Sequence, residues 1–390
     1  MGKYDQVIDK EKQKQAKEYQ KKKIIFKITG TALFLAYFLI LIFSNLSFAI
    51  EEKILYFTDI QWQIIALYIF FILTLYDLLS LPLEFYTSYT FEHKYHFCTQ
   101  TLGDWFEDWL KSYILSLVLA IPVIEGIYWA IRTFPQNWYL VVTVFAVLLA
   151  VLLSHLSPIL LTPLFFKLKK IEGDNELAQK LIKLCNKVNT KVKGVYEINF
   201  ISKTTKANAY LSGLGNTRRI VIADNLLKNF TLDEAEVVFA HELGHHVHKD
   251  VLKGILWTSL IYLGAFYFTS LILKKVGLYL SYEVSDISNF PVLALSIGFI
   301  LFLFNIPLNF YSRKRERNAD EFALKTTGKV NAFITSMSKF TNRDLADAHP
   351  HPFIEFLFYT HPSIGKRINY AQEFKKKIEL EKQKGRILNM

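Results

Sequence analysis

Six stretches of this chain run apolar over roughly the ~20 helical residues needed to cross a hydrocarbon core. They lie near 24–49, 61–84, 113–133, 138–161, 253–274 and 288–311, each bounded by charges or polar turns, and predict six transmembrane helices. Between the fourth and fifth, from about 165 to 250, the pattern changes. Residues 173–188 have the period of an amphipathic helix, and Val192–Phe200 read as a strand. Asn208–Ser212 and Arg219–Ala223 flank a Gly213, Gly215, Asn216 turn, which predicts a hairpin. Thr231 and Glu234 then make a T-x-x-E capping box before the apolar run Val237, Val238, Phe239, which is the start signal of another helix.

The fold class is therefore mainly α: a polytopic membrane protein with a small β-hairpin or sheet beside soluble helices. The expected organisation is a basic segment at 1–23, a membrane region at 24–164 with four spans and a loop at 85–112, and a soluble part at 165–252. Two further spans at 253–311 and a C-terminal region at 312–390 complete it. With 52% hydrophobic residues and 33 phenylalanines, the composition agrees.

Charge adds orientation. Lys21–Lys23, the group Lys167, Lys169 and Lys170, and the group Arg313, Lys314, Arg315 and Arg317 all fall on one side of six spans; Lys274 and Lys275 fall on the other. The excess of lysine and arginine on cytoplasmic flanks puts both termini and the soluble part in the cytoplasm. The net charge of +11 comes largely from these flanks and points to anionic membrane lipid as a partner, with no nucleic acid. Ser47-Phe48-Ala49 resembles a cleavage site, but the first apolar core is too long for a signal peptide and reads as a retained anchor. Gly2 lacks a Ser or Thr at position 6, so myristoylation is not expected.

Within the capped helix, VVFAHELGHH holds an H-E-x-x-H sequence: His241, Glu242, His245. Histidines four residues apart on a helix aim both imidazoles at one point, and Glu242 lies alongside, able to reach a water there. Such a pair predicts a zinc hydrolase with one Zn2+ per chain. A catalytic zinc takes three protein ligands and leaves one position open. The third is expected at Glu316 in SRKRERNADEFALK, where Asp320 repeats the four-residue spacing and is placed to accept the outer N–H of a ligand histidine. The same stretch would equally suit a solvated charged helix. His246 and His248 do not share the four-residue relation with His241, and His349, His351 and His361 each precede a proline. An edge strand in the hairpin would hold substrate by backbone pairing. Asp77, Glu125 and His155 fall inside predicted spans and are expected to face protein or water. Cys98 and Cys185 lack the partners of a metal or redox motif.

These stretches together carry a resemblance. HELGHH, SRKRERNADEFA, KANAYLSGLGNTRRIVIADNLL and THPSIGKRI look like the integral-membrane zinc proteases called type I CAAX prenyl proteases. TFEHKYHFCTQTLGDWFEDWLK, after the second span, is similar to that family's F-x-x-E-x-x-H-G-F-N loop followed by Q-T-L-G, with Tyr95 and Cys98 in place of its Gly and Asn. The match runs from about Leu81 to Ala371. The resemblance implies a helical barrel around a large intramembrane chamber, with zinc at its cytosolic end. It makes His241, His245 and Glu316 ligands and Glu242 the base. It puts Asn208 and Ala209 on the substrate-holding strand, and His361 and Arg367 facing the substrate or oxyanion. Eukaryotic members have seven spans against six here, which points to a bacterial relative.

The expected function is hydrolysis of peptide bonds in extended, possibly lipidated peptide or protein substrates, as in CAAX processing. Glu242 would take the water's proton and pass it to the leaving amine, while His361 or Arg367 steadies the oxyanion. The alternative task is quality-control cleavage of membrane proteins, as in shorter heat-shock relatives. A non-catalytic scaffold conflicts with the intact ligand set, and a transporter would call for a repeat of spans that the chain lacks.

Overall fold

A computed structural model describes residues 8–213, 218–280 and 283–384. Helix α1 (Lys10–Phe43) is capped by Asp9, whose carboxylate accepts from the Glu11 and Lys12 amides, so the basic segment and first apolar run form one helix. Asn45, in the left-handed region at φ 56°, turns the chain into short α2 (Leu46–Leu55). Next come α3 (Gln61–Glu84), a π-helical turn, α4 (Phe91–Lys94) and α5 (Leu102–Thr133). The apolar α6 (Trp138–Leu156) runs through another π-helical turn into α7 (Thr162–Phe165). The later long helices are α11 (Asp250–Leu280) and α12 (Phe290–Thr327).

Five of these helices are long and apolar enough to cross a membrane, with the shorter apolar Trp138–Ser154 beside them at the place of the expected fourth span. They close a ring in chain order: α1 packs on α3, α3 on α5, α5 on α6, α6 on α11, α11 on α12, and α12 back on α1. Six helices about 10 Å apart leave their axes about 10 Å from the ring's centre, room for one more helix. Among the described residues no segment fills it throughout. One hydrophobic cluster plugs the end where α1, α5 and α11 finish and α3, α6 and α12 start, with Leu41, Ile65, Tyr68, Tyr128, Trp138 and Leu293 among its members. Toward the opposite end, no described residue is buried within 20–36, 73–84, 106–126, 144–154, 251–260 or 301–315. The barrel is thus hollow between its plug and the soluble part. Asp77 Oδ2 and Glu125 Oε1, at that hollow level, are buried without a hydrogen-bond partner; the side chain of His155 lies outside the described residues.

The soluble part holds β1 (Leu168–Lys170), α8 (Glu176–Lys187), β2 (Val195–Ile198), β3 (Ala209–Ser212), β4 (Arg219–Ala223), α9 (Asp224–Asn229) and α10 (Leu232–Val247). The strands form one sheet, order β1-β2-β4-β3, with β2 and β4 parallel and the outer pairs antiparallel. The expected hairpin is β3 and β4, although Gly215 and Asn216 of its turn lie outside the described residues; β1 had no counterpart in the expectations. After α12 follow α13 (Val330–Arg343), α14 (Pro352–Phe358) and α15 (Ile364–Gln383).

Helix α10 sits at the centre. Phe239, Ala240 and Leu243 pack with Leu181 and Leu184 of α8 and Ile220 and Ile222 of β4, while Val237 packs with Leu324, Phe333 and Ile368. Burial on both sides explains its continuous apolar run. Each fully buried Phe or Leu contributes about 1.5–3 kcal/mol, so the catalytic helix is rigidly seated.

Candidate active site

The capping box at the start of α10 forms as the spacing predicted: Glu234 N–H donates to Thr231 Oγ1 at 3.3 Å, and Thr231 N–H to Glu234 Oε2 at 2.8 Å. That fixes where the helix begins, and with it the face on which His241 and His245 emerge. Gly244, between them, lets α12 approach: a Cβ there would lie 3.1 Å from the Ala319 Cα. Close approach brings Glu316 between the imidazoles. Its Oε2 is 3.1 Å from His241 Nε2 and its Oε1 3.3 Å from His245 Nε2.

The outer nitrogens are held from behind. His241 Nδ1 lies 2.8 Å from Asp320 Oδ1, and His245 Nδ1 lies 2.8 Å from Asp250 Oδ2. With each Nδ1–H donating to a carboxylate, each Nε2 presents its lone pair inward. Burial alone would raise the Glu316 carboxyl; protonated His241 and His245, donating from Nε2, hold it well below the usual carboxylate range, and with the Nε2 lone pairs facing it a bound cation would supply that charge instead.

These donors suit a tetrahedral cation. Metal–ligand bonds of ~2.0–2.1 Å at tetrahedral angles separate ligand atoms by about 3.3 Å, close to the 3.1 and 3.3 Å found here. Among the described residues, His241, His245 and Glu316 form the one group of three side chains able to converge on a metal. Glu316 Oε2 is moreover buried without a well-formed hydrogen bond, an acceptor that a cation would satisfy.

Beside them lies a cavity of about 210 Å³, lined by Asn208, Ala209, His241, Glu242, His361 and Arg367 among others. The Glu242 carboxyl is raised above its ordinary value by burial, partly offset by the neighbouring histidines. His361 is more than half exposed, with Thr360 Oγ1 2.9 Å from its Nδ1 and its Nε2 3.3 Å from Glu316 Oε2. The Glu316 carboxylate facing Nε2 favours a proton there, pointing toward the site, and Nδ1 then accepts from the Thr360 hydroxyl.

Two of the cavity residues make bonds that their spacing in the chain does not show. Arg367 lines the cavity and is held from behind: its Nε and Nη2 donate to Asp320 at 2.8 and 2.6 Å, a bidentate pair behind His241. Asn208 was expected on the substrate-holding strand, yet it precedes β3 and its carbonyl accepts from the Ala223 amide at 2.9 Å, turned inward to β4. In the register Ala209↔Ile222 and Leu211↔Ile220, that bond makes Ala209 and Leu211 the residues whose N–H and C=O point off the open edge. Asp250 was missed. It stands five residues past His245, beyond the helix end, and Lys249 at φ 57° turns it back onto the imidazole.

Comparison with known proteins agrees with this geometry. The model described as peptidase family M48 matches residues 172–375, and that described as CAAX prenyl protease N-terminal, five membrane helices, matches residues 3–167. A Bacillus subtilis relative named uncharacterized metalloprotease YhfN is 27% identical over 368 residues, covering 92% of this chain and 85% of its own. CAAX prenyl protease 1 of Saccharomyces cerevisiae is 27% identical over 326 residues, covering 77% and 70%. The crystal structure of S. mikatae Ste24p shares the fold, with a TM-score of 0.85 at 20% identity over 95% of this chain and 91% of that one.

Proposed function

From the premise that the chain belongs to peptidase family M48 and is a multi-pass integral-membrane metalloprotease, we propose that it is a zinc endopeptidase whose ligands are His241, His245 and Glu316. The observation that carries this reading is the convergence of both Nε2 atoms on the Glu316 carboxylate while both Nδ1 atoms are held by Asp320 and Asp250. Zinc bound there would lower the pKa of its water to ~7 and polarise the scissile carbonyl.

The remaining steps belong to the chain itself. Glu242, its carboxyl raised above the ordinary value by burial, would accept the attacking water's proton and return it to the leaving amine. His361 Nε2 is the oxyanion donor, because Arg367 turns its Nε and Nη2 to Asp320, leaving only Nη1 outside that pair. Substrate lies extended against Ala209 and Leu211, pairing with the open edge of β3, a mode that tolerates many side chains. Residues 165–252 and 312–390 together build this peptidase part, and the lysine and arginine flanks orient it to the cytoplasm.

The names of the yeast, plant and protozoan relatives carry CAAX prenyl processing, and a hollow barrel opening on the site suits a lipid-bearing peptide. The cleavage profile of the detergent-purified protein on matched prenylated and unprenylated peptides tests this. The expected result is chelator-sensitive endoproteolysis of extended peptides, faster on the prenylated member. Ala209→Pro, which removes an outward N–H without breaking a ladder bond, is expected to raise KM while leaving zinc in place. Cleavage that survives complete removal of metal would refute the zinc reading, and equal rates on the two peptides would refute the prenyl preference.

A further inference from the structure

The loop after the second span carries much of the sequence resemblance, yet no step of the chemistry uses it. We propose that Tyr19, Glu92 and Lys206 form a positioning cluster that fixes the edge strand β3 against the catalytic helix, so that the N-terminal extension of α1 sets the width of the substrate cleft. The proposal rests on the reading of Ala209 and Leu211 as the substrate-pairing edge.

Three separate segments meet in the cluster. Tyr19 OH, on α1, donates to Glu92 Oε1 at 2.6 Å; Lys206 Nζ donates to Glu92 Oε2 at 2.8 Å and to Tyr19 OH at 2.9 Å. Aromatic rings partly cover it, leaving the side chains of Lys206 and Glu92 31% and 15% exposed. Tyr19, 1% exposed, stacks on Phe91 at 5.3 Å, and the Lys206 ammonium lies 4.4 Å from the centre of the Phe97 ring. Charge-assisted hydrogen bonds partly covered in this way are stronger than fully exposed ones. Burial would raise the Glu92 carboxyl, but Lys206 and Tyr19 bring it below its ordinary value, so the group is held as the carboxylate.

Lys206 stands three residues before Ala209, and the chain leading into it is pinned to the same loop. Thr205 donates through its amide to the Phe97 carbonyl at 3.1 Å and through its hydroxyl to the His96 carbonyl at 3.0 Å, while the Thr99 amide donates to the Lys203 carbonyl at 3.2 Å. A peptide anchored on both its backbone and its side chain cannot shift without breaking the cluster. The cleft's strand wall is therefore referenced to α1.

The opposite wall is referenced to α1 as well. Helix α13 lines the cavity with Met337 and Phe340. Just past its end, the Leu345 carbonyl accepts from Gln20 at 2.9 Å, and Gln13 both donates to the Ala346 carbonyl at 3.2 Å and accepts from the Ala348 amide at 3.0 Å. Leu345 packs in one cluster with Tyr19, Phe91 and Phe97. Two turns of α1, from Gln13 to Tyr19 and Gln20, thus tie both sides of the cleft to a single rod.

The test uses the full-length protein in detergent, an extended peptide substrate, and the variants Glu92→Gln, Lys206→Met and the milder Tyr19→Phe. The expected result is a KM raised about tenfold in the first two, with kcat within about twofold and zinc content unchanged, and a smaller rise for Tyr19→Phe. The double variant Glu92→Gln/Lys206→Met is expected to be no worse than Glu92→Gln alone, which already removes the Lys206 pair together with the 3.6 Å pair of Glu92 with Lys23. Backbone hydrogen exchange is expected to quicken about tenfold over 203–212 while α10 is unaltered. Unaltered exchange together with unaltered KM would overturn the cluster and leave the strand reading, which Ala209→Pro tests separately, standing. Faster exchange confined to 203–212 with an unaltered KM would overturn the proposal at its premise. Faster exchange throughout the soluble part with loss of zinc would show a general structural role and overturn it too.

Discussion

Gly244→Ala tests whether the metal group depends on how closely α12 approaches α10. The added Cβ would meet the Ala319 Cα and the Phe322 Cδ1 at 3.1 Å each, whereas ordinary contact begins at 3.4 Å. The Phe322 ring can swing aside. The Ala319 Cα is backbone, so relief there requires α12 to move by about 0.3 Å, the difference between those two distances. Glu316 and Asp320 flank Ala319 on that helix and would move with it. Metal sites hold their ligand distances to within ~0.2 Å, so the displacement exceeds what the site tolerates. Overpacking typically costs about 1–3 kcal/mol, against about 0.5–1 kcal/mol gained by replacing a mid-helix glycine. The fold is therefore expected to survive while zinc affinity falls about tenfold, the equivalent of ~1.4 kcal/mol. Chelator competition on the purified variant, with the thermal midpoint measured beside it, reads both quantities. Wild-type zinc affinity in a folded Gly244→Ala protein would refute the reasoning.

Further outcomes follow from the same geometry. Glu316→Ala is expected to lose most of the zinc found by elemental analysis in the wild type, near one ion per chain; full retention would move the third ligand elsewhere. Asp250→Asn should weaken zinc binding by about 10–100-fold, the usual effect of removing a histidine's outer partner, while leaving the fold intact; an unchanged zinc dissociation rate would count against that role. A reporter active only outside the cytoplasm should be silent when fused at the N-terminus and active when fused at Val284, between α11 and α12. Silence at Val284 would reverse or miscount the spans.

Much of the site was legible because its signals are local. H-E-x-x-H needs only the helical period, and Thr231 and Glu234 announce the helix that carries it. Glu316 and Asp320 were legible by the same spacing, since two carboxylates one turn apart share a face. What escaped the sequence depended on tertiary placement. Asp250 follows a left-handed residue, Lys249, whose backbone angle no periodicity reveals. The commitment of Arg367 to Asp320 joins residues 47 apart in the chain. Which backbone groups of β3 face outward depends on its register with β4, and one residue of shift separates Asn208 from Ala209. The six apolar runs predicted the helices, but their closure into a ring with one plugged end came from packing between α1 and α12, which no single run encodes. The three-residue strand β1 is too short to leave a pattern.

The central claim is that Glu242 is the base beside a metal it does not bind. The direct measurement is the turnover of an extended peptide by purified Glu242→Gln carrying the same zinc content as the wild type. Loss of at least the ~10²- to 10⁴-fold that general-base catalysis supplies, with zinc and fold retained, is the predicted result. Wild-type turnover by the zinc-loaded variant would contradict it.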